Sequence, residues 1–228
     1  MPATSIIPTT DAHYLPEFAG LSQSSRPAFY PMVKRGFDIA VSLTMLVALV
    51  PLFAFVALLI WLTDRGPILF RQVRVGRNGR EFVFYKFRSM VMNAEKLKAQ
   101  LAAQNQHSDP RTFKMKHDPR VTWIGRIIRK TSIDELPQLW NVLVGDMAIV
   151  GPRPAVPCEV AKYNAHERRR LDMTPGLTCI WQVSGRANLD FLQQVEMDLE
   201  YIQKCSFWLD VKLMVLTVPA VLSGRGAY

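Results

Sequence analysis

Two adjacent acids, Asp134 and Glu135, sit between basic segments: Arg126, Arg129 and Lys130 come just before them, and Gly151-Pro152-Arg153-Pro154 follows. The second of these is a rigid turn that can hold a guanidinium in a fixed pose. Carboxylates among guanidinium groups can hold Mg²⁺ and attack a phosphorus centre while the arginines neutralise the phosphate oxygens. This is a phosphoryl-transfer arrangement without a glycine-rich phosphate loop. Acids at a helix start also have a plainer use, which is to offset the helix dipole.

The element expected to position the pair is a helix. Ser132-Ile133-Asp134-Glu135 has the Ser-x-x-Glu form of a capping box, so the spacing predicts a helix from Ser132 to about Val144. On it Ile133, Leu136, Trp140 and Leu143 share an apolar face, and Asp134, Gln138 and Asn141 share a polar one. Asp134 is thus expected in the first turn, pointing away from the core, with unpaired N–H groups and the dipole favouring its ionised form.

The longest uncharged stretch, Ile39 to Leu62, reads IAVSLTMLVALVPLFAFVALLIWL and has 24 residues, enough for a membrane helix. Pro51 sits at its middle and should kink or break it. Each half of 12 residues makes roughly 18 Å of helix at about 1.5 Å per residue, too short to cross a core of about 30 Å. Lys34 and Arg35 precede the stretch, and Arg65, Arg71, Arg74, Arg77 and Arg80 follow it. The positive-inside tendency draws both ends to the cytoplasmic side, which favours a re-entrant helix bent at Pro51 over a straight span or a buried soluble helix. Ser42, Thr44 or local 3₁₀ adjustment could satisfy carbonyls freed at the bend. The run begins too late and is too long for a secretory leader.

The formal charge of +9 suits anionic lipid and phosphate-bearing substrates, and there is no finger, repeat or coiled-coil basic region to suggest nucleic acid. Cys158, Cys179 and Cys205 have no metal-ligand spacing and are read as reduced thiols. Three regions are expected: a proline-rich arm (1–31), the bent membrane helix (32–64) and a cytoplasmic domain (65–228). Within the last, Ile68 to Val75 and Glu81 to Phe87 read as a hairpin turned at Asn78-Gly79. Seven basic residues from Arg65 through Arg88 put it near phosphates or headgroups, unless it is simply a solvated basic hairpin.

Met92 to Gln104, Trp123 to Lys130, Pro157 to Met173 and Asn188 to Lys204 read as helices, with Lys162, Arg168, Arg169 and Arg170 on a solvated or membrane-facing side of the third. His107 and His117 lie in the loop after the first and have no partner at metal spacing. Trp181 through Arg186 forms a turn that could contact a nucleotide, although Trp181 could equally be core. Phe207 to Leu222 is amphipathic, with Trp208, Val211, Val215 and Val218 on its apolar side; at 16 residues with Asp210 and Lys212 it suits the membrane interface, with core packing as the alternative. The fold class is therefore α+β and mainly helical, with a small β-hairpin, a re-entrant helix and shallow interfacial helices.

Several motifs in one order carry a resemblance. They include Lys34-Arg35-x-x-Asp38, Lys86-Phe87-Arg88-Ser89-Met90, Asp118-Pro119-Arg120-Val121-Thr122 and Ser132-Ile133-Asp134-Glu135-Leu136-Pro137-Gln138-Leu139. Val150-Gly151-Pro152-Arg153-Pro154, Pro175-Gly176-Leu177-Thr178, Trp181-Gln182-Val183-Ser184-Gly185-Arg186 and a closing region through Ser223, Arg225, Gly226 and Tyr228 continue the series. From about residue 32 to 228 the chain resembles the bacterial sugar transferases that act as monotopic polyprenyl-phosphate phosphoglycosyl transferases, in particular those that initiate exopolysaccharide synthesis.

The resemblance implies that Asp134 is the nucleophile, with Glu135 beside it, and that both hold Mg²⁺. It also implies that Arg129 and Arg153 bind phosphate. With Arg88, Gln138, Trp181 and Arg186 these make up the expected substrate-binding set. The implied reaction moves a hexose-1-phosphate, glucose or galactose, from a UDP-sugar to undecaprenyl phosphate at the bacterial inner membrane. The catalytic domain would face the cytoplasm on anionic phospholipid, and a homodimer is left open. Many members have Ser-Pro at the helix break where this chain has Val50-Pro51, so a hydroxyl that could cap a freed carbonyl is missing. The competing class is a non-enzymatic adaptor that binds anionic lipid, which would leave Asp134, Glu135, Arg129 and Arg153 without a joint purpose.

Overall fold

The apolar run is broken where its proline enters. In a computed structural model describing residues 29–101, 115, 118–184 and 189–223, helix α1 (Tyr30–Ala48) and helix α2 (Val50–Asp64) meet at Leu49 with a bend of 60°. Pro51 occupies the first turn of α2, where the missing N–H costs nothing. The ladder is kept on both sides by Leu49 N–H to Met45 O at 2.9 Å and Phe53 N–H to Leu49 O at 2.8 Å. Ser42, about two turns before the bend, does not serve it; its hydroxyl donates to Ile39 O at 3.2 Å. Among the described residues no single helix is long and apolar enough to cross a membrane, but the bent pair meets that test together by length and composition. Val47, Val50, Phe55, Leu58 and Leu62 are all exposed along it.

Lys34 and Arg35, expected to precede the membrane segment, lie inside α1 and, with Asp38, are engaged by the domain. Lys34 Nζ reaches Asp210 Oδ2 at 2.9 Å, Asp38 Oδ1 accepts the Ile149 N–H at 3.1 Å, and Arg35 donates to Val142 O at 2.6 Å and Leu143 O at 2.8 Å. The face of α1 carrying Lys34, Asp38 and Ser42 is therefore buried.

An antiparallel hairpin follows, β1 (Leu69–Val75) against β2 (Glu81–Phe87), in the register Leu69 to Phe87 and Val75 to Glu81. Asn78 (φ 57°) and Gly79 (φ 79°) make its turn, where two left-handed residues match the strand twist. Helix α3 (Ala94–Leu101) precedes α4 (Trp123–Lys130), whose N-cap Thr122 accepts the Gly125 N–H at 3.0 Å. Then come α5 (Gln138–Val144) and β3 (Ala148–Val150). The helix expected over 157–173 is instead divided into α6 (Pro157–Val160), α7 (Ala165–Arg168) and a 3₁₀ turn. Asn164 starts α7 with a full capping box, which ends α6, and Arg170 turns inward instead of facing out.

Strand β4 (Gly176–Thr178) pairs in parallel with β3. Gly151 and Gly176 permit this contact, since a Cβ on Gly176 would lie 2.0 Å from Gly151 N. Helices α8 (Ile180–Ser184), α9 (Phe191–Lys204) and α10 (Phe207–Ser223) complete the chain. The main core gathers β2, α5, β3, α8, α9 and α10 through Phe84, Leu139, Val150, Ile180, Tyr201 and Leu213. A second cluster, Val56, Ile60, Phe87, Ile124 and Ile128, fastens α2 to the hairpin and α4.

The molecule is thus mostly helical, with a bent N-terminal helix pair and two small sheets. Trp208, Val215 and Val218 on α10 are exposed, as are Trp123 and Ile127 on α4 and Trp140 and Val144 on α5. The expected flexible arm falls almost wholly outside the described residues, as do His107, His117 and the last five residues.

Candidate active site

The capping box does not form. Ser132 has left-handed backbone angles (φ 55°, ψ 16°) and makes no side-chain cap, and Ile133–Glu135 is one 3₁₀ turn closed by Leu136 N–H to Ile133 O at 3.2 Å. Pro137 is the cause. It has no N–H to return to residue 133, so the helix can begin only once the proline is in its N-cap position.

The faces of α5 are reversed from the periodicity reading. Asn141 is fully buried and Gln138 is 2% exposed, while Trp140 is 52% exposed. Asn141 Nδ2 donates to Val83 O at 2.7 Å and its Oδ1 accepts the Tyr85 N–H at 3.3 Å. These are the backbone groups on the edge of β2 that β1 leaves open, so the polar face turns inward to close a sheet edge.

Asp134 therefore points inward and is only 8% exposed. Burial pushes its carboxyl up to about 6, opposed first by Lys86, reinforced by Glu135, and opposed again by Arg129 and Arg153. The expected helix-start stabilisation of the charge is absent. Cations supply it instead: Lys86 Nζ lies 2.5 Å from Glu135 Oε1 and 4.0 Å from Asp134 Oδ2, and Arg153 Nη1 lies 3.9 Å from Glu135 Oε1. Arg129 sits half-buried in the last turn of α4, directly before the Ser132 turn.

Arg153 is held from both sides. Its guanidinium lies over the Trp181 ring at 5.8 Å, so the buried Trp181 is a platform beneath it. The following turn is tied to β1 by Arg74 Nη1 to Pro154 O at 2.9 Å and Val75 N–H to Ala155 O at 2.9 Å. Burial, with Arg153 nearby, pulls Arg74 down to about 10. Below these, Arg170 pairs with fully buried Asp198 at 2.6 Å.

Of the residues singled out in the sequence, the fold gathers Asp134, Glu135, Arg129, Arg153 and Trp181. Arg88 is paired with Asp64 at the end of α2. Gln138 has no hydrogen bond or ion pair to the two acids among the described residues, and its Nε2 finds no protein partner. Arg186 lies outside the described residues. Lys86 and Arg74 belong to the basic hairpin expected near phosphates or headgroups but were not singled out as site residues. The signal lay in strand parity: Phe82 and Phe84 face inward, so Lys86 shares their side, and Arg74 sits opposite Phe82. Lys86 Nζ and the Arg74 guanidinium lie 5.4 and 5.0 Å from the Phe84 ring.

The profile of the family described as "Bacterial sugar transferase" matches residues 29–224. The chain belongs to the bacterial sugar transferase family. Curated relatives of this chain include galactosyl transferase CpsE of Streptococcus agalactiae serotype III (strain NEM316), 53% identical over 165 residues, which are 72% of this chain and 36% of the relative. Another is the undecaprenyl-phosphate galactose phosphotransferase of Salmonella typhimurium (strain LT2), 43% identical over 206 residues, 86% of this chain and 42% of the relative. Exopolysaccharide production protein ExoY of Sinorhizobium fredii (strain NBRC 101917 / NGR234) is 38% identical over 222 residues and 96% of each chain. The chain thus spans about two-fifths of the length of the first two and nearly all of the third.

Among the described residues no group of three or more His, Cys, Asp or Glu could hold a metal by itself. The acid pair still fits Mg²⁺, which takes one or two carboxylates and completes its shell with substrate phosphates and water.

Proposed function

We propose that this sugar transferase moves a hexose-1-phosphate, from UDP-glucose or UDP-galactose, to undecaprenyl phosphate with release of UMP, and so begins an exopolysaccharide. The observation that carries this reading is the pair Asp134 and Glu135 faced by Lys86, Arg129 and Arg153 in a chain of this family. The names of the relatives above support a hexose donor and a polyprenyl acceptor. An adaptor that only binds lipid has no use for such a cluster.

In the first step an Asp134 oxygen forms a bond to the sugar-bearing phosphorus while the bond from that phosphorus to the UMP oxygen breaks, and UMP leaves with the electron pair. Arg153, fixed on Trp181, and Arg129 hold the phosphate oxygens, and Lys86 keeps Glu135 oriented and Asp134 ionised. In the second step an oxygen of the polyprenyl phosphate attacks the same phosphorus and expels the Asp134 carboxylate. Glu135 and Asp134 would hold Mg²⁺, which would supply charge neutralisation at the leaving group. The bent pair α1–α2 and the exposed apolar faces of α4, α5 and α10 support a re-entrant, interfacial seat on the cytoplasmic side of the inner membrane, where anionic phospholipid meets the positive chain.

The test is trapping. Enzyme incubated with Mg²⁺ and labelled UDP-hexose, without lipid, should release up to one equivalent of UMP and show a hexose phosphate on Asp134 by mass spectrometry. UMP release that strictly requires the lipid overturns the two-step route.

A further inference from the structure

A cleft of about 360 Å³ lies beside the acid pair, between α1, the Thr131–Leu136 segment, β3–β4 and α10. Its walls differ. The segment carrying the acids contributes Thr131, Ser132 and Glu135, whereas the helices contribute Val41, Met45, Met214, Val218 and Val221. The remaining hydroxyls are used within the protein: Thr178 and Thr217 share a hydrogen bond of 2.8 Å, and Thr217 also donates to Leu213 O at 2.7 Å. Gln182 accepts from the Cys179 thiol at 3.1 Å. A sugar or a uracil would find few partners here, and a hydrocarbon would need none.

Two further observations fix the chemistry of the occupant. Glu135, which lines the cleft, is also the residue that Lys86 and Arg153 approach, so the polar wall borders the phosphate-binding cations. Met45 and Val218, on the apolar wall, are 37% and 59% exposed, so that wall runs on into the exposed apolar surface of α1 and α10. An amphiphile with an anionic head and a long hydrocarbon tail matches both. The volume is at the low end of the range of about 300–1,000 Å³ for ligand pockets, enough for the start of a chain and not for all of it.

We propose that this cleft seats the head-proximal isoprene units of the polyprenyl phosphate acceptor, with the rest of the tail leaving over Met45 and Val218. The proposal rests on the lipid-acceptor reading above and adds where the tail lies. A shaped cleft distinguishes a methyl-branched chain from the straight acyl chains of bulk phospholipid, which an open apolar surface does not.

The test uses the full chain in phosphatidylglycerol-containing nanodiscs. Met45→Trp and Val218→Trp fill the cleft from exposed positions; Val215→Trp adds the same bulk on the exposed face of α10 outside it. The first two should raise the KM for polyprenyl phosphate about tenfold or more and leave lipid-free UMP release intact, while Val215→Trp should change neither. A diazirine-bearing polyprenyl phosphate should label cleft residues, and excess polyprenyl phosphate, not phosphatidylglycerol, should suppress the labelling. Equal effects of Val215→Trp and Val218→Trp, labels confined to Phe55, Leu58 and Leu62 on α2, or displacement by phosphatidylglycerol would each overturn the site. Labelling is read without turnover, so a labelled cleft with no lipid-free UMP release would sink the two-step chemistry and keep the site.

Discussion

Around Asp210 both carboxylate oxygens are taken: Oδ2 accepts from Tyr30 Oη and Lys34 Nζ at 2.9 Å each, and Oδ1 from Tyr201 Oη at 2.5 Å. Around Asp134 the same kinds of residues are arranged differently. Lys86 is 4.0 Å away, beyond hydrogen-bonding length, and three cations face two carboxylates. Both aspartates are nearly buried, at 3% and 8% exposure, so depth does not separate them. What separates them is closure: the first cluster is complete within the protein and ties α1 to α10, and the second keeps room and positive charge for an anion that the protein does not supply.

The comparison predicts opposite outcomes for the same substitution. Asp134→Asn should lower turnover by about 10⁴-fold or more with the thermal midpoint kept, because the proposed nucleophile is lost and no hydrogen bond is broken. Asp210→Asn should cost roughly 3–5 kcal/mol of stability, as removal of one partner strands a buried Lys34, and leave turnover per folded molecule near wild type. UMP release and thermal unfolding in one detergent measure both. An Asp210→Asn protein that is stable but inactive would erase the distinction.

A smaller effect sharpens the open cluster. Lys86→Met should reduce kcat by about 10²–10³-fold, and Arg153→Lys by less, since lysine keeps the charge over Trp181 but loses the planar fork. If Lys86→Met affected only the midpoint, the lysine would belong with Lys34 as a structural cation. Smallest is Asn141→Ala, which leaves the Val83 carbonyl and Tyr85 N–H without their side-chain partner. It should cost about 1–3 kcal/mol and shift activity only as far as β2, and with it Lys86, moves.

Elements set by local rules were legible in the sequence. The hairpin turn at Asn78-Gly79, the helix Trp123–Lys130 and the break near Pro51 depend on residues that choose their own backbone angles. The sense of α5 was not legible. Which face of a helix is inside depends on what lies outside, and a helix with Trp140 and Val144 exposed obeys the usual pattern only when its surroundings are also apolar. The capping box at Ser132 failed for a reason that was readable, because Pro137 follows too closely for a continuous helix. Lys86 could have been found from strand parity, whereas its approach to Glu135 depends on a turn 49 residues away that no periodicity reports.

The contacts that seat α1 also set a schedule for synthesis. Lys34 meets its carboxylate 176 residues further along, and Arg35 meets its carbonyls 107 and 108 residues on. At translation rates of about 5–20 residues per second, Asp210 is made roughly 9–35 s after Lys34. Within that interval the partners of Arg35 and Asp38, at Val142, Leu143 and Ile149, are made first, while Lys34 stays without its carboxylate to the end. Docking of α1 is completed only after Asp210 has been made, and a chain truncated before Asp210 would leave α1 unlocked.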